Sequence, residues 1–329
     1  MASVAEQRTF IVGTRGSRLA LAQTRLVVDA LRAAHPGARF DVREITSQGD
    51  RDTKPLSEIG GLGVFTKALE DALLVSEIDI AIHSMKDLPP VLTAGLTIAA
   101  VPERASALDA LVTKDGLRLE ELPAGARLGT GSGRRAAQVR AMRPDVAVLE
   151  IRGNVPTRIQ KVDDGEFDGV ILAVAGLTRL DLVDRIAQTF TVREMTPSPG
   201  QGALAIEVRA EDAEAIALVT PLDHLASRAA VTAERALLAE LGAGCKTPIG
   251  AHAEVEGNAV QLAVAVAAGP DRVEWLRTSL SNAGQMSRGG RHQSDTEILL
   301  GIAERTGKHA AQTIRDAGWL TDGEERREH

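Results

Sequence analysis

Short apolar runs rich in β-branched residues alternate with amphipathic stretches through the first two thirds of the chain. The runs are TFIVGTR, IDIAIHS, GLTIAAV, DALVT, VAVLEI, GVILAVAG and ALAIEVR. The first is followed by SRLALAQTRLVVDALRAA, whose apolar positions recur at helical spacing. This alternation predicts an α/β fold built on a mainly parallel sheet covered by helices. From about Asp223 the pattern changes. DHLASRAAVTAERALLAEL predicts a long helix ending at Gly242, and three strands follow with period-two alternation, clearest at Val260, Leu262, Val264 and Val266. The turn-forming stretches EGN and AGPD join those strands. A last helix is expected from about Ser294 to Ala317, ahead of a charged tail, DGEERREH, expected to be disordered.

An internal echo lies within the first part. VGTRGSRLAL, starting at Val12, and LGTGSGRRAA, starting at Leu128, both read as strand, Gly-Thr, small polar residues, then a helix with arginine near its start. Two similar lobes follow from two such units. In each, Ser17, or Thr130 and Ser132, is placed to cap a helix whose free N–H groups and dipole favour an anion, and Arg15, or Arg134 and Arg135, adds full charge. Ligands of open α/β sheets sit beyond the carboxyl ends of strands, where these turns fall. The alternative reading is two ordinary capped turns with solvent-facing arginines.

Length and composition fit this organisation. At 329 residues with 44% hydrophobic content, the chain predicts two or three domains with filled cores. MASVAEQRTF lacks a basic segment followed by an apolar run, and no later stretch is long enough to span a bilayer, so a cytoplasmic protein is expected. A single cysteine excludes an internal disulfide and every multi-thiolate metal site, and the seven histidines show no HExxH pairing, so no metal is expected. The net charge of -7 argues against nucleic acid as the main partner. Arginines nevertheless recur beside glycine-rich turns, in TRGSR, GSGRRAAQVR, IRGNVPTR and LTRL, a distribution that suits a cationic site for a small anion inside an acidic body.

Three segments carry candidate chemistry. IDIAI runs into HSMKDLPP, which places Ser84, Lys86 and Asp87 at a strand end before a proline-enforced loop. Lys86 and Asp87 read either as an acid, base or cation stabiliser or as a surface ion pair contributing ~0–1 kcal/mol. His83 has no partner visible in the sequence and reads as a packing residue. Cys245, in LGAGCKTPIG, lies in a tight glycine-rich loop beside Lys246, which favours an accessible thiolate over a buried thiol. Two glycine clusters fail nucleotide readings: GTGSGRR lacks the GK[ST] ending of a P-loop, and GGLGVF follows no strand.

Taken together, GTRGSRLALAQ, HSMKDLP, RRAAQVR, IRGN, TRI, ILAVAGLTRL, PGQGALAIE and GAGCKTPIG resemble the porphobilinogen deaminase (hydroxymethylbilane synthase) family, in order, from about residue 9 to about 320. The resemblance implies two lobes like those of periplasmic binding proteins and a smaller α+β third domain with a three-stranded antiparallel sheet. Domain 1 would comprise residues 9–101 and 203–222, domain 2 residues 102–202 and domain 3 residues 223–320, with 321–329 as tail. It implies a cytoplasmic, monomeric transferase of tetrapyrrole and heme biosynthesis, condensing four porphobilinogen molecules head-to-tail into hydroxymethylbilane with release of ammonia. The growing chain would be held on a dipyrromethane cofactor joined covalently to Cys245.

By match to the family, Lys86, Ser84, Thr130, Ser132, Arg134, Arg135 and Arg158 would hold that cofactor. Arg15, Ser17, Arg152, Arg158, Arg179 and Gln201 would hold substrate; Phe65 reads either as stacking on a pyrrole or as a core phenylalanine. Asp87 matches the catalytic carboxylate, facing pyrrole nitrogens that become more positive as the new bond forms. Every pyrrole brings an acetate and a propionate, and arginine supplies paired bonds and permanent charge for them. In one place the chain departs from the pattern. Many members carry two lysines in the loop after the second strand, where this chain has Glu58 and Leu62, so the loop from Ser47 to Gly63 is expected to act as a mobile cover rather than an anion ligand. The two-lobed architecture also serves non-enzymatic ligand-binding modules, and a loop thiol also serves thiol-dependent hydrolases. The expected third domain and the Cys245 loop count against the first, and no histidine is spaced to serve the second.

Overall fold

The computed structural model describes residues 8–46, 66–242, 247–269, 272–281 and 294–320. They form three sheets with their covering helices. The first sheet contains β1 (Thr9–Thr14), β2 (Arg39–Glu44), β3 (Ile80–Ser84), β4 (Leu96–Ala100) and β10 (Leu204–Arg209), in the order β2-β1-β3-β10-β4. The second contains β5 (Asp109–Thr113), β6 (Arg127–Gly129), β7 (Ala147–Leu149), β8 (Gly169–Ala173) and β9 (Gln188–Thr189), in the order β7-β6-β8-β5-β9.

The two orders are one topology used twice. β1 pairs parallel with β2 and β3, as β6 does with β7 and β8. Each sheet then takes one antiparallel strand contributed by chain that has just crossed from the other sheet: β10 beside β3 and β4, and β5 beside β8 and β9. The echo between VGTRGSRLAL and LGTGSGRRAA is therefore structural, since β1 leads into helix α1 (Arg18–Ala34) as β6 leads into α3 (Gly133–Met142). Ser17 Oγ accepts from Ala20 N at 3.2 Å and Ser132 Oγ from Arg135 N at 3.4 Å, so both helices are capped as expected. α1 buries Gln23, Thr24, Val27, Val28 and Leu31 on one face and stops at His35, just before Pro36 and Gly37.

β2, the segment RFDVRE, is absent from the runs that the apolar pattern singles out. It is an edge strand with Phe40 as its one buried side chain, so its outward face carries no core signal. The remaining covering helices are α2 (Lys67–Leu74), α4 (Val155–Asp163), α5 (Val174–Arg179) and α6 (Ala213–Val219). The two chain crossings pack against each other backbone to backbone. Gly202 has φ +86°, and a Cβ there would lie 2.4 Å from Ala105 O; Gly200 has φ +73°, and a Cβ there would lie 2.7 Å from Met85 Cγ. Both the conformation and the approach require glycine, which accounts for the PGQG sequence at the return crossing.

The third sheet is antiparallel, β11 (Ile249–Glu256), β12 (Ala259–Ala267) and β13 (Val273–Ser281), covered by α7 (Leu225–Glu240) and α8 (Asp295–Asp316). Val260, Leu262, Val264 and Val266 all point into this core, as their alternation predicts, and each contributes ~1.5–3 kcal/mol by leaving water. α8 begins at a capping box between Ser294 and Glu297. α7 also packs outward on the first sheet, where Val231 joins Met85, Leu88, Val101, Ala203 and Ala205. The charged tail and part of the AGPD turn lie outside the described residues.

Candidate active site

The expected site residues gather at the carboxyl ends of parallel strands, where open α/β sheets present ligands to loops and helix N-termini. β1 delivers Arg15 and Ser17, and its parallel neighbour β3 delivers Ser84 and a 3-10 turn over Met85–Asp87. β6 delivers Thr130 and Ser132, followed by Arg134 and Arg135 in the first turn of α3. The segment after β7 carries Arg152, α4 carries Arg158, and α5, which follows β8, carries Arg179. Leu19 of α1 lies 3.7 Å from where a Cβ on Gly176 of α5 would be, so the strand ends of the two sheets meet.

At their meeting point is a buried charge cluster. Asp109, the first residue of β5, is fully buried; its Oδ2 lies 2.7 Å from Arg134 Nη1 and its Oδ1 lies 2.7 Å from Arg135 Nη2. Arg134 also donates to Thr196 O at 2.8 Å, and Arg135 to Ile171 O at 2.9 Å. Gln201 completes the arrangement from the return crossing. Its Nε2 donates to Ala107 O at 2.7 Å and Asp109 Oδ1 at 2.8 Å, while its Oε1 accepts from Lys86 Nζ at 3.2 Å and Arg135 Nη2 at 3.4 Å. One side chain thus joins Lys86 of the first sheet to the arginines of the second.

Three cations here face one buried carboxylate, and the proton affinities record the imbalance. Lys86 is lowered to about 8, mainly by burial and then by the Arg135 charge, with Asp87 and Asp109 opposing. Arg158 is lowered to about 10 by burial and by Arg135 and Arg152, and Arg179 to about 10 by burial. Burial alone would push Asp109 up, but the Arg134 and Arg135 guanidiniums outweigh it and hold the carboxyl far below the usual range. Arg134 Nε is buried and makes no hydrogen bond among the described residues. The surplus positive charge is of the kind that several ligand carboxylates would neutralise.

Asp87 differs from the other acids nearby. It is half-buried, it follows Lys86 in the 3-10 turn, and its carboxylate makes no hydrogen bond or ion pair among the described residues. The Lys86–Asp87 pair is therefore no surface ion pair: Lys86 Nζ bonds Gln201 instead.

Comparison with known proteins decides the family. Residues 10–217 match the model for the porphobilinogen deaminase dipyrromethane cofactor binding domain, and residues 228–288 match that for the porphobilinogen deaminase C-terminal domain. The chain belongs to the porphobilinogen deaminase family. The porphobilinogen deaminase of Roseiflexus sp. strain RS-1 is 48% identical over 78% of this chain and 85% of its own. That of Thermus thermophilus is 44% identical over 94% of this chain and 100% of its own. Among solved structures, the periplasmic aliphatic sulphonate binding protein of Escherichia coli is similar over 70% of each chain, at 14% identity and a TM-score of 0.38.

Of the residues expected from the sequence of this family member, Cys245 and Phe65, with Glu58, Leu62 and the loop from Ser47 to Gly63, lie outside the described residues. The others converge on the two sets of strand ends. Three points of the sequence reading change. Arg134 and Arg135 are not solvent-facing but bound to a buried carboxylate. Thr130 Oγ1 accepts from Ser132 N at 3.1 Å, so it shapes the turn while Ser132 alone caps the helix. His83 is not a bare packing residue, because its Nε2 lies 3.0 Å from Glu207 Oε2, with both side chains buried.

Sequence reading missed Asp109 and Glu207, and also Glu234 of α7. Glu234 binds Arg104 at 2.7 Å and accepts from Gly200 N at 2.6 Å and Ala253 N at 2.8 Å, tying both crossings to the third sheet. The available signal was an acid inside a wholly apolar run, as in DALVT and ALAIEVR, since an unpaired buried carboxylate is costly and implies a partner.

Proposed function

We propose that Asp87 and the cations around Asp109 form the catalytic centre of a hydroxymethylbilane synthase, with Cys245 as the covalent anchor of its primer. The reaction is that of the family: four porphobilinogen molecules are condensed head-to-tail into hydroxymethylbilane with release of ammonia. The observation that carries the site assignment is the surplus of cations fixed by Asp109 and Gln201 beside Asp87, an acid that makes no hydrogen bond or ion pair among the described residues and acts on Lys86 only through its charge. The residues fit a dipyrromethane, since its acetates and propionates match the fork-shaped donors available.

When bound, that group supplies the pyrrole terminus to which each new unit is joined. Lys86, Arg134, Arg135 and Arg158 hold its carboxylates, with Ser84, Thr130 and Ser132 as hydroxyl partners. Arg15, Ser17, Arg152, Arg158 and Arg179 orient the incoming substrate, with Phe65 stacking on its ring. Gln201, whose amide is already engaged, serves substrate by holding Lys86 and Arg135 in place. As the substrate C–N bond breaks and ammonia leaves, positive charge spreads to the pyrrole nitrogens, and the Asp87 carboxylate stabilises it. This reading takes domain 1 as residues 9–101 and 203–222, domain 2 as 102–202 and domain 3 as 223–320. It also takes the enzyme as a cytoplasmic monomer with a small-molecule partner; no helix among the described residues is long and apolar enough to cross a membrane.

Intact-protein mass spectrometry tests the anchor. The purified protein is expected to carry an adduct with the mass of a dipyrromethane, lost in Cys245→Ala; an active protein of unmodified mass would refute the attachment. The same variant exposes the electrostatics of the primer-free site. Lys86 there should be half-reactive towards a lysine acylating reagent near pH 8, against about 10.4 for an ordinary lysine, read by peptide mapping. The sign is fixed: from pH 8 to 10.5 the unfolded chain holds a proton that folded Lys86 has lost, so the cost of burying this cation is relieved as pH rises. A Lys86 half-point above pH 10 would show that neither burial nor the Arg135 charge acts on it in this way.

A further inference from the structure

The turn that bears Asp87 is held from behind by a residue of another sheet's covering helix. Arg235 of α7 donates from Nη2 to Pro89 O at 2.7 Å and Pro90 O at 3.1 Å, and Nη1 reaches Leu88 O at 3.5 Å. These three carbonyls directly follow Asp87, and the two prolines leave that stretch with no N–H of their own to anchor it. Leu88 is buried, so its carbonyl needs a partner from the protein.

The guanidinium is itself in a demanding place. Burial lowers its proton affinity while the charge of Glu207 acts against that loss. Glu207 lies on β10 beside β3 and approaches His83, the residue before Ser84, and its Oε1 has no hydrogen-bond partner among the described residues. A line of charge thus runs from α7 through Glu207 to the strand that delivers the turn. Behind the turn lies a cavity of about 370 Å³, lined by Met85, Pro90, Val101, Val231 and Arg235. This pocket is open to solvent, so the hydrogen bonds from Arg235 add to the packing of Met85 and Leu88 on Val231 in holding the segment.

We infer that Arg235 is a positioning residue for Asp87: through three consecutive carbonyls it fixes the segment that continues the catalytic turn, and it ties that turn to the helix whose end leads to Cys245. The inference rests on Asp87 being the catalytic carboxylate. Arg235 touches neither substrate nor primer; it acts by where it places another group. A small displacement is enough, because misplacement of a reacting group by about 1 Å costs up to ~10²-fold in rate.

The test uses full-length holoenzyme carrying Arg235→Lys, which keeps the charge beside Glu207 but loses the fork, and Arg235→Gln, which loses both. Both are expected to keep the dipyrromethane mass and a KM within about twofold of the parent, with kcat lowered about 10- to 100-fold. Arg235→Lys is then placed in the Asp87→Asn background, and single-turnover addition of one substrate unit is followed by intact mass. There it should change the rate by less than about twofold, because the group it positions has already been removed. If Arg235→Gln does not fold, Arg235→Lys and the double variant suffice. An equal loss in both backgrounds, or a lowered melting point with unchanged kcat, overturns the inference alone. A parent-like rate in Asp87→Asn by itself would instead sink the catalytic assignment, and this inference with it.

Discussion

Asp87→Asn is expected to lower kcat by about 10²–10³-fold while KM and the dipyrromethane content stay close to the parent values. The substitution keeps the size of the side chain, removes its negative charge and replaces one acceptor oxygen with an NH₂ donor. That charge has little structural work, since the carboxylate makes no hydrogen bond or ion pair among the described residues. The 3-10 turn is built by backbone contacts instead: Met85 N donates to Ala203 O at 3.0 Å and Leu88 N to Met85 O at 3.3 Å. In the proposed function ground-state binding rests on the cations, which outnumber the acids of the site, so removing one acid is expected not to weaken the hold on substrate carboxylates. What is lost is stabilisation of positive charge that develops only as ammonia leaves and the new bond forms. The measurement is steady-state kinetics beside intact mass. A variant within about threefold of parental kcat would mean that another group meets that charge.

Much of this arrangement was legible in the sequence because the relevant physics is local. The period-two run from Val260 to Val266, the helix from Leu225, and the paired strand-turn-helix units at Val12 and Leu128 all announce themselves through spacing and caps. Capped helix starts at strand ends could be anticipated from Ser17 and Ser132 for the same reason. What could not be read is what depends on strands meeting across the chain. β10 enters the first sheet about 120 residues after β3, and β5 enters the second from the opposite lobe. Only that exchange brings Asp109 to Arg134 and Arg135, Gln201 to Lys86, and Glu207 to His83. β2 escaped notice because an edge strand with one buried side chain has almost no apolar period to show.

The same exchange makes Asp109 the residue whose loss the fold should feel most. In the primer-free Cys245→Ala background, Asp109→Asn leaves Arg134 and Arg135 buried without their carboxylate partner, and breaking a buried pair by removing one partner costs ~3–5 kcal/mol. Two features set this site apart from a surface pair. Both guanidiniums are almost wholly out of water, and each also donates to a fixed acceptor, Arg135 to Ile171 O and Gln201 Oε1 and Arg134 to Thr196 O. The amide of asparagine supplies one acceptor oxygen where three groups now share a carboxylate, and its NH₂ points a further donor at a region already rich in them. Urea unfolding at neutral pH should therefore show the full loss. The pH dependence fixes the cause. A depressed carboxylate contributes its stability above its unfolded pKa of 3.8 and loses it as pH falls through the folded value. The gap between parent and Asp109→Asn should hold constant down to about pH 4 and narrow below it. A gap under about 1 kcal/mol at pH 7 would mean that the two arginines are charge-compensated by something other than Asp109.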